Sequence, residues 1–144
     1  MYFPKNDTVI EYVDSSPMPV FGGNHWTNQS ITPIGLPFSG SMAYDEQLGV
    51  VVLFGLDPET LFPPGTHTLA YTWTWDGKVW RRVGSIGGLG GQESESLVYD
   101  LGRHRLILFG GILYTDGGPV LQNDLWEFDG HTWKELQPDD FFGV

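Results

Sequence analysis

The sequence predicts an all-β protein built from a four-stranded unit that occurs twice, because one pattern of aromatic residues and glycines repeats along the chain. The repeat distance is nearly constant: Tyr44 and Tyr99, and Phe54 and Phe109, are each 55 residues apart, while Trp73 and Trp126, and Trp80 and Trp133, are each 53 apart. Self-similarity at a fixed period near 50 is typical of repeat architectures. No helical period is sustained, and 20 glycines in 144 residues suit short strands joined by tight turns.

The first two strands of each unit are defined by a Tyr-Asp pair and an apolar run. In the earlier unit, the first strand ends at Tyr44-Asp45, a turn covers 45–49, and the run 50–54 follows. The later unit repeats this with Tyr99-Asp100, a turn at 100–104 and a second run from 105. An apolar run bounded by turn residues is typical of a strand buried on both faces.

The third strand of each unit alternates between two faces. Tyr71, Trp73 and Trp75 lie on one face, with Thr72 and Thr74 on the other. The strand closes on Asp-Gly, at 76–77 and again at 129–130, which predicts a two-residue type I′ hairpin with positive φ at both residues. The fourth strand then carries Trp80 or Trp133. Four antiparallel strands per unit, repeated, form the blades of a β-propeller.

Three stretches carry a resemblance to a known family: Phe109-Gly110-Gly111, then Asn123-Asp124-Leu125-Trp126, then Trp133. Through them the chain resembles the kelch family of β-propellers, and in particular bacterial repeats similar to the central domain of galactose oxidase. The WD40 repeat, suggested by Trp75-Asp76 alone, has a period of about 40–45 and lacks this glycine pair. The repeated positions are predicted to be structural, and they comprise Tyr44, Phe54, Gly55, Trp73, Trp80, Tyr99, Phe109, Gly110, Gly111, Trp126 and Trp133.

The chain departs from the kelch pattern at two places. Leu56 stands where the earlier unit should have its second glycine. Ser39-Gly40-Ser41 and Ser94-Glu95-Ser96 occupy the head of the units, where kelch repeats commonly carry Arg and Gly-His. A ligand role that depends on that Arg is therefore not transferred to this chain.

The repeat divides the chain into three parts that together form one propeller module. Residues 31–84 are predicted to form blade 1 and residues 85–144 blade 2, while residues 1–30 form a partial N-terminal blade or outer strands. Phe21-Gly22-Gly23-Asn24-His25-Trp26 has the spacing of a connection between third and fourth strands, because Trp26 precedes Trp80 by 54 residues. Residues 1–16 match no repeat position.

Strand order assigns the long connections to one end of the blades. The stretches 56–68, 84–92 and 112–122 are predicted to be loops at that end, whereas the opposite end has only tight turns. Long loops on a rigid frame are where binding usually occurs. The predicted ligand-binding residues on this face are Asp57, Glu59, Phe62, His67, Glu93, Glu95, Tyr114 and Asp116.

The formal net charge of −11 bears on which kinds of partner the protein can bind. Six of the seven basic residues lie at or near the tight turns: Lys78, Arg81, Arg82, Arg103, Arg105 and Lys134. The long-loop face is therefore predicted to be electronegative, which disfavours nucleic acid and other phosphates. No apolar run reaches the length of a membrane-spanning helix, so a membrane partner is not expected either. The compartment is left open, since zero cysteines suit either redox environment.

Metal and cofactor chemistry has little support in the sequence. The four histidines show no metal-ligand spacing, and His104 and His131 are predicted to be solvated turn residues. The resemblance to galactose oxidase implies a copper radical cofactor, but that cofactor needs a tyrosine cross-linked to cysteine, and the chain has none. Asp57, Glu59 and Asp116 could bind Ca²⁺, although solubility alone would explain them. No cofactor and no metal are expected.

These observations predict a non-enzymatic binding or assembly module. A propeller needs about 4–8 blades, so ring closure by a homo-oligomer is expected, as a trimer of two blades or a dimer of three, unless the blades join a longer propeller. Its ligand would be a protein or a glycan on the acidic face. The alternatives are a carbohydrate-binding lectin made of oligomeric propeller chains, and an enzyme whose site forms between subunits.

Overall fold

The computed structural model has an all-β fold. It describes residues 2–3, 8–10, 18–22, 25–29, 40–56, 69–90, 92–115 and 117–137, with side chains for 40–56, 70–84, 93–115 and 117–137. Within these ranges the chain forms strands and turns and no helix. The strands are β1 Tyr2–Phe3, β2 Thr8–Ile10, β3 Met18–Gly22, β4 His25–Gln29, β5 Gly40–Asp45, β6 Val50–Leu56, β7 Leu69–Trp75, β8 Trp80–Gly90, β9 Gln92–Glu93, β10 Ser96–Asp100, β11 Arg105–Thr115, β12 Gly118–Phe128 and β13 Trp133–Glu135.

The strands form three antiparallel sheets that follow the chain. Their orders are β1-β2-β3-β4, β5-β6-β7-β8 and β10-β11-β12-β13, and β9 adds to the third sheet beside β11. The second sheet begins in the stretch predicted for blade 1, 31–84, and its last strand β8 extends beyond it to Gly90, while the third sheet lies in the stretch predicted for blade 2, 85–144. The all-β fold class and its four-stranded antiparallel sheets, consistent with propeller blades, are therefore confirmed.

The N-terminal sheet is small, since β1 has two residues and β2 has three. Its strands β3 and β4 pair from Gly22↔His25 to Met18↔Gln29, with Phe21 opposite Trp26. The stretch from Phe21 to Trp26 thus holds the connection between the third and fourth strands, as its spacing predicted.

The turn between the first and second strands of each blade is built on an aspartate. In blade 1, the Gly49 N–H donates to the carbonyl of Asp45 at 2.8 Å, and the Leu48 N–H donates to Asp45 Oδ1 at 2.9 Å. In blade 2, Asp100 Oδ1 accepts from Gly102 and Arg103 in the same way. An aspartate that accepts nearby backbone N–H groups favours a turn, which explains why Tyr-Asp ends the first strand in both repeats.

The connection between the third and fourth strands differs from the prediction. β7 ends at Trp75 and β8 begins at Trp80, so the loop has four residues rather than two. Gly77 has φ 98°, but Asp76 is not among the described residues with positive φ. Asp76 Oδ1 instead accepts from Lys78 and Val79, each at 3.0 Å. The aspartate side chain thus shapes a wider loop, and Asp129 does the same in blade 2 through His131 and Thr132.

The stretch predicted as the loop 112–122 is also different, because it is a β-hairpin. β11 continues to Thr115 and β12 begins at Gly118, with the register shifted between Phe109 and Gly111. Gly110 and Gly111 adopt φ 64° and 118°, so the glycine pair forms a bulge and pairing resumes beyond it. Similarly, β8 continues to Gly90, through most of the connection predicted at 84–92.

Blade 1 is packed on both faces, as the unbroken apolar run of β6 predicted. Val52 and Phe54 belong to a cluster shared with blade 2, whereas Val51 and Leu53 point to the other face and pack with Trp73, Trp75 and Trp80. The cluster between the blades consists of Ala43, Val52, Phe54, Leu56, Ala70, Leu97, Leu106, Leu108 and Phe128, with Val50, Tyr99, Trp126 and Trp133 packed against it. The tryptophans therefore lie in the packing between and within sheets, as their repeat positions predicted.

Trp133 connects the two blades most directly. Its ring meets the Phe54 ring edge-on, with the centroids 5.6 Å apart, and lies 4.9 Å from Phe128 in its own blade. Its Nε1–H donates to Thr72 Oγ1 at 2.8 Å. Blade 2 thus presents an aromatic anchor with one polar atom, and blade 1 supplies the acceptor.

Candidate functional site

Glu93 and Glu95 lie together at the end of the blades where ligand binding was predicted. Glu93 is in β9 opposite Ile112, and Glu95 lies between β9 and β10. Glu95 is 55 residues after Gly40, which begins β5 opposite Gly55, but β10 begins one residue later at Ser96. Glu95 therefore lies outside the strand ladder, after Ser94 with its left-handed φ of 62°.

The backbone of Glu95 contacts blade 1. The Ser41 hydroxyl of β5 donates to the carbonyl of Glu95, and β5 lies against β10. The contact joins the first strands of the two blades at the end opposite the turns 45–49 and 100–104.

The Glu95 side chain is buried and unpaired. It is 5% exposed, and neither carboxylate oxygen has a hydrogen-bond partner among the described residues. Burial raises the pKa of Glu95 to about 7, and the negative charge of Glu93 raises it further. The N–H groups of Glu95 and Ser41 face the carboxylate and lower the pKa in part. A ligand in solution therefore has no direct access to this carboxylate.

The remaining predicted ligand residues are distributed as follows. Tyr114 is 56% exposed and lies on β11 in the hairpin rather than on a loop. Asp57, Glu59, Phe62, His67 and Asp116 lie outside the residues that the structure describes. The structure therefore brings Glu93 and Glu95 together, and it places Tyr114 on the strand that pairs with Glu93.

A cavity that sequence reasoning missed lies at the tight-turn end. Its volume is about 310 Å³, and it is lined by Glu46, Gln47, Tyr99 and His104. The Tyr99 hydroxyl is buried, with no hydrogen-bond partner in the described ranges, and burial, together with the charge of Asp45, raises the pKa of Tyr99. The sequence marks Tyr99 and His104 as repeat and turn residues, but only the packing of the two turns shows that they share a cavity.

One face of blade 2 is open in the described structure. We call it the open face, and it is defined by Val98, Phe109 and Leu125, which share one side of the sheet by register. Ile107 lies on the same side but is only 6% exposed, opposite Glu127, whose carboxylate is 4.0 Å from the Arg103 guanidinium. Phe109 is 53% exposed, whereas Phe54, the same repeat position in blade 1, is 0% exposed. Val98 is likewise 56% exposed, against 4% for its equivalent Ala43. The open face therefore repeats, one blade later, the surface that blade 2 covers on blade 1.

Other features do not form a reactive centre in the part of the chain that is described. No three His, Asp or Glu residues there lie close enough to hold a metal ion. No helix of the length and hydropathy needed to cross a membrane occurs there. Trp73, Trp75 and Trp80 are buried, so they present no ring surface on which a sugar could stack.

Comparison with known proteins yields structural similarity alone. No family model matches the chain, and no curated protein matches it. A solved structure described as "Structure of YjhT" is similar, with 21% sequence identity and a TM-score of 0.47. The similarity covers 74% of this chain and 28% of that one, so this chain spans under a third of that protein's length. The strand pairing of the chain itself, in four-stranded antiparallel sheets consistent with propeller blades, defines its all-β fold.

Proposed function

We propose that this protein is a non-enzymatic assembly and binding module of the kelch propeller type, which associates with a second copy of itself through the open face. The observation that carries the proposal is the difference between Phe54 and Phe109, buried and exposed at the same repeat position. Large apolar side chains exposed together on one face of a sheet, here Val98 and Phe109, favour an interaction site.

The contact between the two blades within one chain supports a further blade as the partner. Blade 1 presents Val52 and Phe54, and blade 2 covers them with Leu106, Leu108 and Trp133. On the open face Phe109 is exposed at the position of Phe54, whereas Ile107, at the position of Val52, is buried opposite Glu127. A further blade is therefore the partner of matching shape and chemistry.

The other face of blade 1 is not available for this contact, because Leu53, Trp73 and Trp80 are already buried. The N-terminal sheet of β1–β4 is then the blade of the second copy that would pack on the open face. Three sheets per chain and two copies give six blades, within the range of about 4–8 that closes a propeller. This supports a dimer over a trimer.

Phe109→Asp tests the proposal. We expect the wild type to sediment as a dimer of the 16.1 kDa chain at micromolar concentration. The dissociation constant of the Phe109→Asp dimer should be higher by about 30-fold or more, as for loss of a central apolar interface residue. Leu101→Asp is the matched control, because Leu101 is also exposed but lies in the turn after β10. A wild type that stays monomeric and unfolds cooperatively at all concentrations would contradict self-association, as would equal effects of the two substitutions.

A further inference from the structure

Glu95 is a carboxylate buried between the two blades, and the described residues around it supply backbone N–H groups, from Glu95 and Ser41, but no cation. Both oxygens are occluded from solvent, and within the part of the chain that the structure describes neither has a hydrogen-bond partner. Nearly all buried polar groups in folded proteins are hydrogen-bonded, and an unpaired buried carboxylate strongly destabilises a fold when it is ionised. In the packed structure the group is therefore expected to be neutral or to hold a cation.

The charges around Glu95 favour the neutral form. Glu93 in β9 repels a second negative charge. β6, packed against β9, has no charged residue between Val50 and Leu56. The charged residues of β5, β10 and β11, namely Asp45, Asp100 and Arg105, lie at the opposite ends of their strands, beside the tight turns. No described cation is therefore positioned to compensate Glu95.

The occlusion of the carboxylate identifies the ion that fits. A metal ion needs several ligands, and the described residues provide no group of three acids or histidines. A larger cation would have to reach oxygens that solvent does not reach. A proton needs only the carboxylate itself.

We propose that Glu95 is a proton-binding site that controls the contact between β5 and β10, packed when protonated and loosened when ionised. The ionised carboxylate gains most when water reaches it, which requires the segment 93–95 to separate from β5. That separation breaks the bond from the Ser41 hydroxyl to the Glu95 carbonyl. The site lies inside one chain and is independent of self-association.

The sign of the pH effect follows from the direction of the shift. Because the pKa rises from 4.5 to about 7 on folding, the folded state binds more protons than the unfolded state between these values. Stability is therefore highest at low pH within this window, falls as the pH rises from 4.5 towards 7, and is constant with respect to Glu95 above it.

Urea unfolding of the wild type and Glu95→Gln at pH 5.5 and pH 8.0 tests the site. We expect the folding equilibrium constant of the wild type to fall on the order of 30-fold more than that of Glu95→Gln between these pH values. Comparing the two proteins removes the contribution of every other titrating group. Glu93→Gln is the control for loss of one acidic charge. Its folding equilibrium constant should still fall between pH 5.5 and pH 8.0, but by less than that of the wild type. An equal fall in the wild type and Glu95→Gln would overturn the proposal.

Two direct measurements complete the test. In protein with ¹³C-labelled glutamate, the carboxyl signal missing from Glu95→Gln should titrate near pH 7, and a midpoint below pH 5 would overturn the proton site. At pH 8.0, the amides at the start of β5 and β10 should exchange with deuterium faster in the wild type than in Glu95→Gln. Equal exchange at these strands would overturn the control of the blade contact.

Discussion

Phe54 and Phe109 occupy the same repeat position, but their surroundings differ. Phe54 is covered by Trp133 of the next blade, and Phe109 is half exposed. A second pair shows how the blades have diverged: Thr72 accepts the hydrogen bond of Trp133, and its equivalent 53 residues later is Leu125. A blade on the open face would therefore find apolar surface but no acceptor at that position.

The bond between Trp133 and Thr72 provides a test at the scale of single residues. Thr72→Val keeps the shape of the side chain but leaves the Nε1–H of Trp133 without its acceptor, so we expect a loss of about 1–3 kcal/mol in the free energy of unfolding. Thr74→Val is the matched control, since Thr74 lies two residues along the same face of β7. Urea denaturation measures both.

In the background of Trp133→Phe, which has no N–H to donate, Thr72→Val should have little effect. If Thr72→Val and Thr74→Val destabilise the wild type equally, the bond contributes nothing specific to the contact between the blades.

Among the elements, the strands were more predictable than their connections. The alternating sequence predicted that Thr72 and Thr74 point to one face of β7 and Trp73 to the other. The regular pairing of β7 with β6 confirms this, because successive side chains of a strand point to opposite faces. Connections depend on backbone conformations that few residues accept. Gly110 and Gly111 allow a bulge and a long hairpin in blade 2, whereas Leu56 at the second of these positions leaves the pairing of β6 in blade 1 regular.

The loop between β12 and β13 provides a test at the scale of elements. Gly130 has φ 97°, and a Cβ there would lie 2.7 Å from Leu48 Cδ1. Because an L-residue in this conformation costs roughly 1–2 kcal/mol and a β-branched one more, Gly130→Val should lower the free energy of unfolding by at least that amount. Gly117→Val is the control, since a Cβ there would meet only Thr115 Oγ1, at 3.6 Å.

Thermal and urea unfolding of the two glycine variants should therefore differ clearly. Equal tolerance at both positions would mean that the loop 129–132 rearranges freely, and the anchoring of this loop by Asp129 would be wrong.

For the whole molecule, charge and apolar surface act in opposite directions. The formal net charge of −11 makes two copies repel each other, while the open face favours their association. Added salt shortens the range of the repulsion and leaves the apolar contact in place. The balance between the two therefore depends on ionic strength.

If the proposed dimer is held by the open face, raising sodium chloride from about 20 mM to about 500 mM should lower its dissociation constant by roughly tenfold, because the screening length falls. Sedimentation equilibrium of the wild type measures this, with Phe109→Asp as the control that lacks the apolar contact. Weaker association at high salt would mean that ion pairs hold the copies together instead.

The sequence alone determined the repeat period, the order of the strands and the two faces of each blade. These properties are local, since a period of two along a strand and a fixed spacing between units need no knowledge of distant neighbours. They were enough to predict that Trp73 and Trp80 pack within the fold and that Asp45 and Asp100 begin tight turns.

Only the tertiary structure decided which of two equivalent faces is covered. Phe54 and Phe109 are the same residue in the same local pattern, and burial differs because it depends on whether another sheet lies against the strand. Glu95 follows the same rule: its position outside the ladder and its neighbour Ser41 result from contacts across 54 residues of chain. The Glu95 carboxylate was predicted to lie on an exposed acidic face. It is buried because the packing of the two blades, and not the local sequence, determines its access to water.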